Sequence, residues 1–465
     1  MTRDNICRQF LAGLAVVTGL GLASTAWAQD IVGPEGANID WRQFEGTTLR
    51  FLGGQHPASA ALQSVVADFE QLTGIKVEVE QISWDAYFQK VQLDLSSPDP
   101  QYDMFLANGG DFDWLYGPTG SISNIDQFLN DPKLTDLDWY DLDDVDSKVL
   151  AAASWDGQPG HPAGTGNTYV VPFMSESYMI AARQSILDKY GLTLPSTLEE
   201  VRDAAKTIQE GEGDAMAGFA ARGGVGVVNA ALINFLINYG AVDLDSGMNS
   251  QLASPESVYV HNLLLNEILQ PYGPQGWLTM EWTDLRNRAA QGEFGMWYDA
   301  DWFAVGYEDP EQSRVAGDVV YGNLGSAESK FADYYYFGLA INDHSPRKQA
   351  AWLLAQYFSS KPVMLKLAVE KNLLMPSRAS VYEAPEFAEK YGKWGNGTWI
   401  EAAKANLSQW SKPAFMPADQ QGAIKNVWAA GAHQIYEGAD PQTVLDGVAA
   451  DINALMDRAG YRKAQ

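Results

Sequence analysis

Cysteine is nearly absent from this chain. The one copy, Cys7, stands ahead of the apolar run at 10–23, so no disulfide staples the fold and its stability has to come from the core alone. Basic residues are also few: 31 Lys and Arg stand against 59 Asp and Glu, for a net charge of −28. Such a field repels nucleic acid and anionic lipid headgroups, which excludes both as partners. Beyond the run near the start, no apolar stretch is long enough to cross a bilayer. Internal repeats and low-complexity tracts are missing, so the chain is not an array of small units. There is no G-x-G-x-x-G and no G-x-x-x-x-G-K-[ST]; the glycines at 218–226 therefore do not make a nucleotide loop.

What is present starts with an export signal. Arg3 and Arg8 give a cationic start, the apolar run at 10–23 is too short to span, and Ala26-Trp27-Ala28 is a small-x-small cleavage site. The expected product begins near Gln29, works in the periplasm, and carries no lipid, because Cys7 is not at the cleavage site. Its length suits two domains of roughly 200 residues. Aromatics make up 12% of the chain and include 15 tryptophans, many of them in polar or glycine-rich segments. Most tryptophans go to the core, but aromatic faces also suit the C–H faces of sugars.

From residue 47 strand and helix alternate. Strands are expected at 48–52, 75–80 and 102–106, with helices at 58–72 and 84–95 between them. This predicts a mainly parallel, doubly wound α/β sheet, with ligand loops after Leu52 and Leu106 at the carboxyl ends of the strands. The stretch 168–182 reads as one long strand interrupted by polar residues. Helices follow at 195–209, 229–239, 255–270 and 284–291, then a strand at 334–342 and helices at 347–359, 420–437 and 441–458. A sheet-like half that returns after residue 334 implies that the chain crosses between two lobes more than once. The aspartate-rich segment 131–146 lacks the spacing of a calcium loop and reads as a solvated face with helix caps; no metal and no cofactor are expected.

Several residues carry chemistry. Glu176 interrupts an apolar strand, and a buried carboxylate there requires a hydrogen-bond donor, from the protein or from a ligand hydroxyl. The run at 296–302 sets Asp299 and Asp301 among aromatics that include Trp297 and Trp302, and GGDFDW sets Asp111 and Asp113 beside Trp114. Rings mixed with carboxylates suit polyhydroxylated ligands: the rings stack, while carboxylates accept from vicinal hydroxyls. Arg222, on a glycine loop expected to be flexible, is the cationic counterpart. Of the tyrosines at 334–336, alternate rings face opposite sides of the strand, and Tyr334 and Tyr336 are taken as the cleft-lining pair.

The order FEQLTGIKVEVEQ, YDMFLANG, TYVVPFMSESYMI, LDKYGLTLPSTLEEVRDAAK, GFAARGG, GEFGMWYDADW, YYYFGLAIN and MPSRASVYEAPEF resembles the solute-binding proteins of bacterial ABC importers, extracellular family 1, over residues 47–460. Within that family the chain looks most like the sorbitol/mannitol-type proteins, although GGDFDW stands where those carry a Tyr-Glu pair. The resemblance implies a two-lobed periplasmic-binding-protein fold, type II-like, with three crossings near 173–177, 334–338 and 374–378. After an extension at 29–46, one lobe would comprise 47–172 with 338–374, the other 178–333 with 378–465. By position, Glu176, Arg222, Asp299 and Trp302 match cleft-lining family positions. A non-enzymatic, monomeric receptor is implied, which delivers a sugar, sugar alcohol or short glycoside to a permease with its ATPase. Two other functions share these features: an exported glycoside hydrolase using Asp111/Asp113 or Asp299/Asp301, and a sensory binding protein feeding a chemoreceptor or kinase.

Overall fold

The computed structural model describes residues 31–462, and the export-signal reading of residues 1–28 lies outside them. Among the described residues no helix is long and apolar enough to cross a membrane. The first half of the fold follows the alternation read from the sequence. Strands Thr48–Gly54 (β1), Lys76–Ile82 (β2) and Met104–Asn108 (β3) are joined by helices Pro57–Thr73 (α1) and Trp84–Leu95 (α2). α1 starts on Pro57, whose missing N–H costs nothing at that position, and stops where Gly74 turns left-handed at φ 70°. Both β1–β2 and β1–β3 pair in parallel.

The later strands are Val170–Glu176 (β4), Tyr178–Arg183 (β5), Ala217–Ala220 (β6), Phe294–Ala300 (β7), Val319–Gly322 (β8) and Tyr335–Ile341 (β9). A five-stranded sheet runs β2-β1-β3-β9-β4, and a four-stranded sheet runs β8-β5-β7-β6. The first sheet is therefore only half parallel, because β9 lies antiparallel to both β3 and β4. β9 arrives from the second sheet's side and enters from the opposite end, so the expectation of a mainly parallel sheet fails there. The single strand expected at 168–182 is also two. It breaks at Ser177, β4 stays in the first sheet, and β5 belongs to the second.

That break is the first of three crossings, and all three lie side by side. Tyr335 of β9 pairs with Glu176, while Ser175 N donates to Met375 O at 2.9 Å and Ser377 N to Phe173 O at 3.0 Å. Met375 sits at φ 58°, a conformation that costs a non-glycine residue on the order of 1 kcal/mol and that persists only where its neighbours hold it. The second sheet buries both faces. Met296 and Tyr298 of β7 join one apolar cluster, and Trp297 joins the cluster that continues into the first sheet.

Arg378 ends the third crossing. It is fully buried, with Nε donating to Ser359 O, Nη1 donating to Asp141 O at 2.8 Å and lying 3.5 Å from Asp144, and its guanidinium over the Tyr140 ring. Asp144 in turn accepts from Ser380 N and Oγ. Other aspartates of the acidic segment cap short helices, Asp136 through Trp139 N and Asp146 through Lys148 N. Truncating Arg378 strands these acceptors in the interior. Arg378→Ala is expected to remove about 3 to 5 kcal/mol of unfolding free energy in urea titration, and a loss near zero would show that the crossing does not depend on it.

Candidate ligand-binding site

The loop after β6 carries Arg222 into the interior. It is not flexible, contrary to the reading of its glycines. Gly223 N and Gly224 N both donate to Met280 O at 3.0 Å, and Trp277 Nε1 donates to Ala221 O at 3.0 Å. The glycines are needed for close approach, since a Cβ on Gly223 would lie 2.0 Å from the Trp277 carbonyl oxygen. Held this way, Arg222 is 6% exposed and meets Asp299, the penultimate residue of β7. Its Nε donates to Asp299 Oδ1 at 2.7 Å, and Nη2 lies 2.7 Å from the same oxygen without reaching hydrogen-bond alignment. The guanidinium is stacked between the rings of Tyr178 and Phe303, 5.1 and 5.4 Å from their centroids.

Around this pair stand buried polar atoms without an aligned protein hydrogen bond. Arg222 Nη2, ion-paired with Asp299, and Trp302 Nε1, turned toward Glu176, are donors without an aligned hydrogen bond; Asp299 Oδ2 and Asp301 Oδ2 are acceptors without one. Trp302 follows β7 in the 3₁₀ turn Asp301–Phe303, and its indole approaches the Glu176 carboxylate at the first crossing. Asp301 is tied to the same crossing: its N–H donates to Ser177 O at 2.8 Å and its Oδ1 accepts from Ser177 N at 3.2 Å. Glu176, Arg222, Asp299 and Trp302 are thus brought together, as expected.

The opposite wall comes from the first sheet. His56, in the loop between β1 and α1, stacks on Phe337 of β9 with centroids 4.2 Å apart. It also meets Trp302 across the gap between the sheets, edge to face at 5.6 Å. Trp84, at the start of α2, closes the group at 6.1 Å from His56.

The remaining expected residues go elsewhere. Tyr336 is fully buried and donates to Asp113 Oδ1 at 2.5 Å, which ties β9 to the helix Gly110–Tyr116 (α3). The register of β9 that meets His56 is the other one, Tyr335 and Phe337, whose rings lie 5.5 Å apart, and not that of Tyr334 and Tyr336. Tyr334 itself is buried. Trp297 is fully buried behind Asp299, edge to face with Tyr307 at 5.1 Å. Trp114 is buried with its indole over Gly110, and the side chain of Asp111 lies outside the described residues. The sequence reading missed His56, Tyr178, Phe303, Tyr335 and Phe337. Only His56 had a signal, since the loop after Leu52 was named as a ligand loop.

Comparison with known proteins fits this geometry. The family model for bacterial extracellular solute-binding proteins matches residues 53–364. The chain belongs to that family. One curated relative, an erythritol/L-threitol-binding protein of Mycolicibacterium smegmatis, is 26% identical over 96% of this chain and 95% of its own length. An ABC-transporter solute-binding protein of Agrobacterium radiobacter, solved with ribitol, superposes with a TM-score of 0.75 at 22% identity, covering 88% of this chain and 99% of that one. Another from Agrobacterium vitis, solved with D-mannitol, gives 0.73 at 22% identity over 90% and 100%. These likenesses establish the two-lobed fold.

Electrostatics in this solute-binding protein are set by one guanidinium among three buried carboxylates. Burial raises Glu176 to about 7; Arg222 pulls against that and Asp299 adds to it. Burial likewise raises Asp299, opposed by Arg222, and holds Asp301 well above the usual carboxylate range. For Arg222 burial, the largest single influence, favours the neutral form, but Asp299, Tyr178 and Glu176 together outweigh it and the guanidinium is raised.

A carboxyl that keeps its proton in the folded state up to about 7, but loses it near 4.5 when unfolded, gives the folded protein the larger proton count in that window. Its contribution is complete below 4.5 and disappears as pH rises through about 7. Ligand-free wild type should therefore lose up to about 3 kcal/mol more stability than Glu176→Gln across this window in denaturant titrations. Parallel pH profiles would show that Glu176 is ionised throughout.

Proposed function

We propose that this protein captures a neutral sugar alcohol or sugar between its two lobes and hands it to the permease of an ABC importer with its ATPase. The observation that carries this reading is the convergence, on Arg222, Asp299, Asp301 and Trp302, of buried donors and acceptors without an aligned hydrogen bond, walled by aromatic rings from both sheets. A polyol hydroxyl gives one hydrogen and takes another, so it satisfies such atoms in pairs, while its C–H edge lies against the rings. The names of the relatives point the same way: erythritol, L-threitol, ribitol and D-mannitol are all uncharged.

The charge of Arg222 is already met by Asp299, and Glu176 and Asp301 stand beside them. An anionic ligand would add a further buried negative charge without a free cation to meet it, which disfavours acidic sugars. The same contacts speak against hydrolysis. Asp299 is held by Arg222 and Asp301 by the Ser177 backbone, so neither is poised as an acid or a nucleophile.

On this reading the lobes comprise 47–172 with 338–374 and 178–333 with 378–465, and they pivot on the three adjacent crossings. The working form is a periplasmic monomer that begins near Gln29 and has no lipid anchor or catalytic activity. Thermal-shift screening tests the ligand class. At least one of erythritol, threitol, ribitol, mannitol, sorbitol or tagatose should raise the melting temperature, since a thousandfold excess over Kd adds about 4 kcal/mol. Uronic acids should give no shift. A response to acidic sugars alone, or to none of the panel, would overturn the assignment.

A further inference from the structure

We propose that His56 is the first lobe's hydrogen-bond donor to the bound ligand and the residue that selects for an oxygen acceptor at that end of the cleft. The inference rests on the reading of the cleft as a site for polyhydroxylated ligands and adds a residue to it. Its basis is the position of the ring. His56 is the N-cap of α1, and its Nδ1 accepts the Ala58 N–H at 3.1 Å. A ring nitrogen that accepts a backbone N–H carries no proton, so in the neutral imidazole the hydrogen sits on Nε2.

The surroundings keep the ring neutral and fixed. His56 is 9% exposed, stacked on Phe337, with Trp302 and Trp84 against it at centroid distances of 5.6 and 6.1 Å. Burial lowers it from 6.5 to about 3, and the positive end of the 17-residue helix opposes a second proton as well. Protonation of Nδ1 would also break the cap. The result is a donor of fixed direction and no charge. Nδ1 is taken, and Nε2 makes no hydrogen bond to the described residues.

Chemical complementarity completes the case. Glu176 and the unspent oxygens of Asp299 and Asp301 accept from ligand hydroxyls, whereas each hydroxyl oxygen also needs a donor. On the second lobe the donors are Arg222 Nη2, beside Asp299, and Trp302 Nε1, beside Glu176, neither in an aligned hydrogen bond. On the first lobe the His56 ring stands 5.6 Å from the same Trp302 ring, with its Nε2–H left to donate. A hydroxyl held between them is bridged from both sides, and its deoxy analogue leaves buried donors unpaired.

His56→Asn tests this, because asparagine keeps a capping oxygen but removes the ring and the Nε2 donor. Calorimetric titrations would use a polyol that the wild type binds and a set of its monodeoxy analogues. Failure of the functional reading then shows in the wild-type titration, and failure of the His56 assignment shows only in the variant. The expected result is affinity weaker by about tenfold or more and loss of discrimination against one monodeoxy analogue, read at a temperature where the variant is folded. His56→Gln, whose amide can again donate, should restore part of the affinity.

Polyol affinity within about twofold of wild type in His56→Asn, or unchanged discrimination, would overturn the assignment. Nitrogen chemical shifts of the ligand-free protein give an independent readout. They should show His56 as the Nε2–H tautomer at neutral pH, and an Nδ1–H tautomer or an imidazolium would contradict the proposal.

Discussion

A guanidinium buried against a carboxylate inside a two-lobed protein constrains nearly everything around it. Arg222 and Asp299 have left water, and the interior compensates them only while the geometry holds. This explains the rigidity of the loop that carries Arg222, fixed at Met280 and Trp277 and built with glycines where no Cβ fits. It also explains the placement of Asp299 near the end of β7, where the strand delivers it beside the crossing and Ala300 N donates to its Oδ1 at 2.8 Å. With the charge of Arg222 met by Asp299, the guanidinium is not left as an unpaired cation in the interior.

The crossings convert this local chemistry into a property of the whole fold. Glu176 is the last residue of β4, and its neighbour Ser177 is bonded to Asp301 in both directions. On the proposed reading, a ligand hydroxyl that donates to Glu176 favours its ionised form, and the carboxyl lies at the first crossing between the sheets. That reading links binding to proton release. Arg378 and the left-handed Met375 hold the third crossing against the first. Backbone pairing thus ties the three crossings to one another.

Much of the fold was legible because local rules and tertiary packing agreed. The helix expected at 84–95 is found as Trp84–Leu95, and Gly74 ends α1 in the left-handed turn that only glycine adopts without cost. Failures occurred where one pattern served two environments. The run 168–182 is apolar on both faces, and nothing in its periodicity marks the change of sheet at Ser177; only the misplaced charge of Glu176 hinted at it. Strand direction leaves no trace in the composition of β9, and three successive tyrosines conceal which register faces the cleft. Phe337, the ring that stacks on His56, reads as an ordinary core residue. In the site itself, charged interruptions were visible and aromatic walls were not, because a ring that lines a cleft obeys the same burial rule as one in the core.

The central claim is that the Arg222–Asp299 pair acts as one unit, required for binding although its charges cancel. A double-substitution cycle with Arg222→Met and Asp299→Leu, measuring unfolding free energy and polyol affinity together, tests it most directly. Each single substitution leaves a buried charge unpaired and should cost about 3 to 5 kcal/mol of stability, whereas the double substitution should cost markedly less, with binding lost in all three proteins. Additive stability losses, or a double variant that still binds the polyol as wild type does, would contradict it.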